Sequence, residues 1–250
     1  MITTQEYWQL ALSVHARDPQ ANPPQGFVCE RAEISRGFFG SGNGNRNGFQ
    51  AALYTPVTQR GLKLDVKVLA IAGTQGAALN DIGADLRIGL HVMPQQASSA
   101  FKFYQSAVGN DDVMVIVGHS LGGGLAQVLG YWCDCPFVTF NAPGMASVLT
   151  AARSNFLKPH VARRRRAAKR LRGSLDSTAR GLNFVIAGDL VAKFGKHVGE
   201  VIVLRGDPPA LVKNHMNFQM PLFLTRVKGR FLSDLDPFML SPEELSGAGA

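Results

Sequence analysis

The chain has 250 residues, is 46% hydrophobic and carries 26 Lys+Arg against 18 Asp+Glu, a formal net charge of +8. That size and composition fit one compact α/β domain over residues 1–250 with a large buried core, and no second domain is required. No run of 18 or more apolar residues is available to span a bilayer, and Met1-Ile2-Thr3-Thr4-Gln5-Glu6 has neither the basic region nor the apolar core of a signal peptide. The expectation is a protein that is not transmembrane and is either cytoplasmic or exported without a cleaved leader.

Positive charge is concentrated. Between Lys158 and Arg172 stand eight basic residues (Lys158, Arg163, Arg164, Arg165, Arg166, Lys169, Arg170 and Arg172) and no acidic one, so this segment alone equals the net charge. Cys29, Cys133 and Cys135 make an odd count, which argues against a disulfide framework and suits a reducing compartment. Cys133-Asp134-Cys135 lacks the spacing of a zinc ribbon or a redox C-x-x-C motif and reads as buried thiols.

Thr4 to Ala16 carries Tyr7, Trp8, Leu10, Ala11, Leu12 and Val14 behind Thr4 as N-cap, the pattern of a short packing helix ended by Asp18-Pro19. A Pro/Gly/Asn-rich loop follows, and Phe27 to Phe39 reads as extended. Gly40 to Gly48 is glycine-rich but lacks the G-x-x-x-x-G-K-S/T residues of a phosphate loop, so it is a turn between two strands, Phe49 to Val57 and Leu62 to Ala72. The second strand is apolar almost without a break from Val66 and ends in Gly73-Thr74, which fits a central strand buried on both faces. Gln75 to Gln96 mixes small, polar and apolar residues with glycines at 76, 83 and 89, a composition suited to a mobile cover or lid over a site.

Ser98 to Val108 predicts a helix, and Gly109-Asn110-Asp111-Asp112 turns into the strand Val113 to Val117. Pro136 to Phe140 is a short strand leading into Asn141-Ala142-Pro143-Gly144, and Met145 to Arg180 is helical and contains the basic run. Leu182 to Ala187 is another buried strand, closed by Gly188-Asp189, and Val198 to Arg205 a further one. His215 precedes a mostly apolar segment, and Ser241-Pro242-Glu243-Glu244 predicts a helix cap. Strands alternating with helices imply a mainly parallel sheet covered on both faces.

The chain is organised around Val113-Met114-Val115-Ile116-Val117-Gly118-His119-Ser120-Leu121-Gly122-Gly123-Gly124-Leu125-Ala126. An apolar β-branched run, a G-x-S-x-G pentapeptide and a small-residue helix start make a strand, a sharp turn and a helix. A serine at such a tip sits in a strained backbone, and Gly118 and Gly122 lack the side chains that would hold strand and helix apart. Ser120 then stands at a helix N-terminus, where backbone N–H groups and the helix dipole favour developing negative charge.

A serine hydroxyl becomes a nucleophile when a histidine takes its proton and a carboxylate holds that histidine. In this strand-elbow-helix context the order along the chain is Ser, then acid, then His. Asp134, Asp176, Asp189, Glu200, Asp207, Asp234, Asp236, Glu243 and Glu244 follow Ser120, and Asp189 alone directly follows a convincing buried strand. His160, His197 and His215 are the candidate bases; His215, on a later loop, is favoured over His197, which follows Asp189 closely.

Gly-His-Ser-Leu-Gly-Gly-Gly-Leu-Ala at 118–126, Ile-Ala-Gly-Thr at 71–74, Phe-Asn-Ala-Pro-Gly at 140–144, Asn-Phe-Val-Ile-Ala-Gly-Asp-Leu-Val at 183–191 and the late His215 together resemble the class 3 lipases over about residues 45–220. The resemblance implies an α/β-hydrolase fold and a serine esterase of triacylglycerols or phospholipids. It implies Ser120 as nucleophile, Asp189 as orienting acid and His215 as general base. The backbone N–H of Thr74, helped by its hydroxyl, and that of Leu121 would form the oxyanion hole. It also implies a lid at 75–96. The chain departs from the family at Ala72, where an arginine or similar polar residue is usual, and at Leu190, where proline is common.

The basic segment, with Arg163, Arg164, Arg165, Arg166, Lys169 and Arg170 around a thin apolar stripe, reads either as a solvated surface helix or as a contact for anionic lipid headgroups, worth about 1 kcal/mol per basic residue. Phospholipid is therefore the expected substrate ahead of triacylglycerol; a non-lipid carboxylesterase or thioesterase is the plainer alternative. A secreted antibacterial phospholipase neutralised by an immunity protein is permitted by the resemblance. A nucleic-acid-binding module lacks interleaved aromatics and leaves the serine elbow unexplained, so no nucleic-acid partner is expected. No metal and no organic cofactor is implied.

Overall fold

A computed structural model describes residues 1–16, 18–34, 48–57, 66–73, 82–107, 113–150, 180–205 and 219–249. Seven strands form one sheet in which spatial order follows chain order: β1 (Phe27–Glu33), β2 (Ala51–Pro56), β3 (Val66–Ile71), β4 (Val113–His119), β5 (Phe137–Phe140), β6 (Gly181–Ile186) and β7 (Glu200–Leu204). The first three pair antiparallel, and β3 to β7 run parallel. Parallel neighbours need crossovers, and these put helices on the sheet faces, so the central strands are apolar on both sides.

On one face α2 (Ile82–Ala107) and α3 (Ser120–Cys133) pack Phe101, Tyr104, Leu125 and Trp132 against Leu53, Leu69, Ile71 and Ile116. On the other, α1 (Thr4–Ser13) brings Trp8 and Leu10 to Val68, Ala70, Val115 and Val117. The same face takes Leu222, Val227, Leu232 and Leu245 from the C-terminal segment, which holds α5 (Gln219–Leu224), the hairpin β8 (Arg226–Val227) and β9 (Arg230–Phe231), and α6 (Pro242–Ser246). A short α4 (Ala146–Thr150) follows the loop after β5. Doubly covered and mainly parallel, with a serine elbow after β4, this is the α/β-hydrolase architecture expected from the motif order.

Two differences from the sequence expectations have simple causes. The N-cap of α1 is Thr3, one residue earlier than expected: its hydroxyl accepts from Glu6 N–H while the Glu6 carboxylate accepts from Thr3 N–H at 2.7 Å, a reciprocal cap. The helix expected from Ser98 instead begins at Ile82 and runs through Gly83, Gly89 and Pro94, so the anticipated cover is helical from Ile82 onward. Glycine and proline weaken a helix locally, but the four-turn C-terminal half packed on α3 outweighs that preference. The capped helix at Ser241 forms as read, with a reciprocal Ser241–Glu244 cap. The turn at 40–47, Thr74, the basic segment 158–172 and His215 lie outside the described residues.

The C-terminal segment is locked on by polar contacts that local pattern could not reveal. Arg180 forks onto both Glu200 carboxylate oxygens, at 2.8 and 3.2 Å, and also donates to the carbonyls of Phe238 and Leu240. Thr4 donates to the Leu235 carbonyl from its amide at 2.8 Å and from its hydroxyl at 2.9 Å, joining the two ends of the chain. Cys29, Cys133 and Cys135 are buried and form no disulfide among the described residues.

Candidate active site

β4 runs straight into α3 at Ser120, whose φ is 55°, in the left-handed region that a residue with a side chain enters at about 1–2 kcal/mol. His119 and Leu121 on either side are buried, while Ser120 is partly exposed, so the hydroxyl-bearing residue is the one presented at the tip. His119 packs edge-on to Trp8 of α1 with ring centroids 5.2 Å apart, which supports the elbow from below.

The glycines are required by close approach. A Cβ on Gly118 would lie 2.4 Å from the Gly122 carbonyl oxygen, and one on Gly122 would lie 2.2 Å from the Ile71 carbonyl oxygen. Strand β3 therefore passes directly against the first turn of α3. A Cβ on Gly73 would stand 3.5 Å from the Leu121 nitrogen and 3.4 Å from that of Gly122. The exit of β3 thus borders the N-terminal amides of α3, which have no partner within the helix.

Register carries the acid to the same rim. His119 pairs with Phe140, and Phe140 with Phe184, so the ends of β4, β5 and β6 lie side by side. Asp189 follows β6 by three residues and is 1% exposed. Its amide donates to the Ile186 carbonyl at 3.0 Å and one of its carboxylate oxygens accepts from Ala192 N–H at 2.7 Å. Asn141, with φ 44°, bridges β5 to β6: its amide donates to the Phe184 carbonyl and its side-chain oxygen accepts from Ile186 N–H, both at 2.9 Å.

Two side chains that sequence reasoning passed over tie the elbow to the Asp189 loop. Gln127, buried on α3, donates to the Pro143 carbonyl at 2.8 Å and accepts from Met145 N–H at 3.2 Å and Val198 N–H at 3.1 Å. Asn183, buried on β6, accepts from the Thr139 hydroxyl at 2.7 Å and donates to the carbonyls of Val198 and Glu200. The available signal was a lone amide inside an apolar element, Leu-Ala-Gln-Val-Leu and Leu-Asn-Phe-Val-Ile, because a buried amide must find partners.

Ser120, Leu121 and Asp189 are thus brought to one edge of the sheet. Thr74 and His215 lie outside the described residues. The alternative base, His197, has its Nε2 2.9 Å from the Ala142 carbonyl oxygen. A carbonyl only accepts, so this nitrogen carries the proton and donates it there. Among the described residues no group of three or more His, Cys, Asp or Glu side chains could hold a metal ion, and no helix is long and apolar enough to cross a membrane.

A family model described as a Tle-like phospholipase domain matches residues 8–172, about two thirds of the chain and the whole serine elbow. The chain belongs to this phospholipase-like family. The match ends before Asp189. An extracellular phospholipase A1 from Serratia liquefaciens is 38% identical over 103 residues, 40% of this chain and 29% of that protein, so the chain matches well under half of its relative's length. Among solved structures, a mutant form of MDLA from Penicillium cyclopium is similar over 84% of both chains, with 14% identity and a TM-score of 0.48.

Proposed function

We propose that this phospholipase-like chain is a serine hydrolase that cleaves a carboxylic ester bond of phospholipids through an acyl-enzyme. The observation that carries the reading is Ser120 held at φ 55° at the N-terminus of α3, with the Leu121 amide beside the exit of β3. That geometry offers a nucleophile and an anion-stabilising donor on one rim. The family match and the phospholipase A1 relative favour a phospholipid over other esters.

In the reaction His215 takes the Ser120 proton as Oγ attacks the ester carbonyl. The oxyanion of the tetrahedral intermediate is met by the N–H groups of Leu121 and Thr74, each worth about 2.7–4 kcal/mol. Collapse expels the lysophospholipid alkoxide, which takes the proton from His215, and leaves the acyl group on Ser120. Water, deprotonated by His215, then releases the fatty acid and restores the hydroxyl. Asp189 orients the imidazole and stabilises its cation. His197 is not assigned this role because its Nε2–H is donated to the Ala142 carbonyl, so that nitrogen has no lone pair with which to take the Ser120 proton. The finer assignment to the class 3 lipases, and a lipid contact through the basic segment at 163–170, belong to the same proposal and rest on the sequence pattern.

The test is fatty-acid release from phosphatidylglycerol and phosphatidylethanolamine vesicles and from triolein emulsions, comparing the protein with its Ser120→Ala variant. Serine-dependent release from phospholipid is expected. Labelling of Ser120 by a fluorophosphonate without release from any of the three lipids would keep the nucleophile and overturn the substrate.

A further inference from the structure

The loop between β6 and β7, residues 187–199, does more than hold Asp189. Its backbone is tied down along its length: Phe194 N–H donates to Val191 at 3.0 Å, the Phe194 carbonyl accepts from Gly144 N–H at 2.7 Å and the Lys196 carbonyl accepts from Ala146 N–H at 2.8 Å. The Ala192 and Val198 amides go to Asp189 and Gln127, and the His197 ring to Ala142. A loop so anchored has a defined inside and outside. Val191 and Ala192 are buried beneath it, whereas Leu190 and Phe194 stand 52% and 48% exposed.

Lys193 and Lys196 are exposed between and beside these two apolar side chains. Among the described residues the ion pairs join Lys67 to Glu30, Arg180 to Glu200 and Lys228 to Glu244, and neither exposed loop lysine takes part in them. Leu190 is the residue next to Asp189, and the loop is on the rim that carries Ser120. Apolar tips flanked by ammonium groups match one kind of surface, anionic headgroups over hydrocarbon. The lysine stems add apolar length below their charged ends.

We propose that the 190–196 loop is a preformed membrane-docking finger: Leu190 and Phe194 enter the acyl boundary of an anionic phospholipid bilayer while Lys193 and Lys196 pair with its phosphates. Docking there sets the Ser120 rim against the lipid from which the ester must be drawn. The inference rests on the lipid-ester reading of the site for its purpose, but its evidence is the loop alone. Because the backbone is already ordered by hydrogen bonds, insertion requires little further loss of conformational freedom.

The test is sedimentation with vesicles of phosphatidylglycerol and phosphatidylcholine, using Ser120→Ala protein so that the lipid stays intact. Leu190→Ser with Phe194→Ser is expected to weaken binding about tenfold or more at any salt concentration. Lys193→Gln with Lys196→Gln is expected to weaken it about fivefold per charge at low salt, with the difference vanishing at about 0.5 M salt or on pure phosphatidylcholine. Leu224→Ser with Met239→Ser, apolar residues elsewhere that are still more exposed at 73% and 71%, is the control and should bind like the parent. Unchanged binding by the loop variants, or an equal loss in the control, overturns the proposal. Loop-dependent binding without any Ser120-dependent release of fatty acid would instead overturn the hydrolase reading and leave the docking surface standing.

Discussion

Replacing Gly122 with alanine tests the contact on which the site depends. The added Cβ would lie 2.2 Å from the Ile71 carbonyl oxygen, 2.6 Å from the Ala72 carbonyl carbon and 2.7 Å from the Gly73 nitrogen. All three are backbone atoms at the end of β3, a strand hydrogen-bonded on both sides to β2 and β4. No flexible side chain can yield, so restoring ordinary contact requires β3 and α3 to part by about 1 Å. Overpacking of this kind costs about 1–3 kcal/mol, and the backbone-to-backbone clash argues for the upper end.

For a domain of this size about 3 kcal/mol corresponds to a fall in Tm of roughly 6–12 °C. The same displacement moves the Gly73 exit away from the Leu121 amide, and misplacing a reactive group or oxyanion donor by about 1 Å lowers kcat by about 10²-fold. Thermal melting followed by circular dichroism and phospholipid turnover measure the two effects. Gly247→Ala, where no atom lies within 4 Å of the new Cβ, is the control and should melt within about 2 °C of the parent. A Gly122→Ala protein that melts and turns over like the parent would refute the account of the elbow.

Ser120→Gly and Ser120→Ala should both be inactive, but the glycine variant should melt about 2–4 °C higher, because alanine retains the left-handed strain at φ 55° and glycine does not; equal melting temperatures would show that the elbow stores no strain. Gln127→Leu leaves the buried Pro143 carbonyl and Met145 amide, and the half-buried Val198 amide, without their partner, so a loss of about 3 kcal/mol is expected in urea unfolding. A loss below about 1 kcal/mol would mean that the network is not structural. Stability should fall on both sides of neutrality. Burial raises the Cys29 thiol to about 11 from 9.0 and the Tyr54 phenol to about 12 from 10.0, so their contribution is complete below their unfolded values and lost as pH rises through the folded ones. Burial lowers His15 from 6.5, so its contribution is present above pH 6.5 and lost as pH falls through the depressed value. Urea midpoints that stay flat from about pH 7.5 to 11 would contradict the alkaline limb.

What the chain determined by itself is what short-range pattern can encode. The nearly continuous apolar runs of β3, β4 and β6 require burial on both faces and hence a mainly parallel sheet. The glycines around Ser120 require a sharp turn, and the Ser241 cap is a four-residue device. The position of Asp189, just past the end of a buried strand, was legible for the same reason. The extent of α2 was not, because Gly83, Gly89 and Pro94 are breakers locally and only packing of the helix overrules them. Nor was the partnership of Gln127 with Val198, the fork of Arg180 over Glu200 and the C-terminal carbonyls, or the exposure of Leu190 and Phe194 on an anchored loop. Each depends on groups distant in the chain, and a side chain's hydrogen-bond partners or exposure are set by what the fold brings beside it, which no local spacing records.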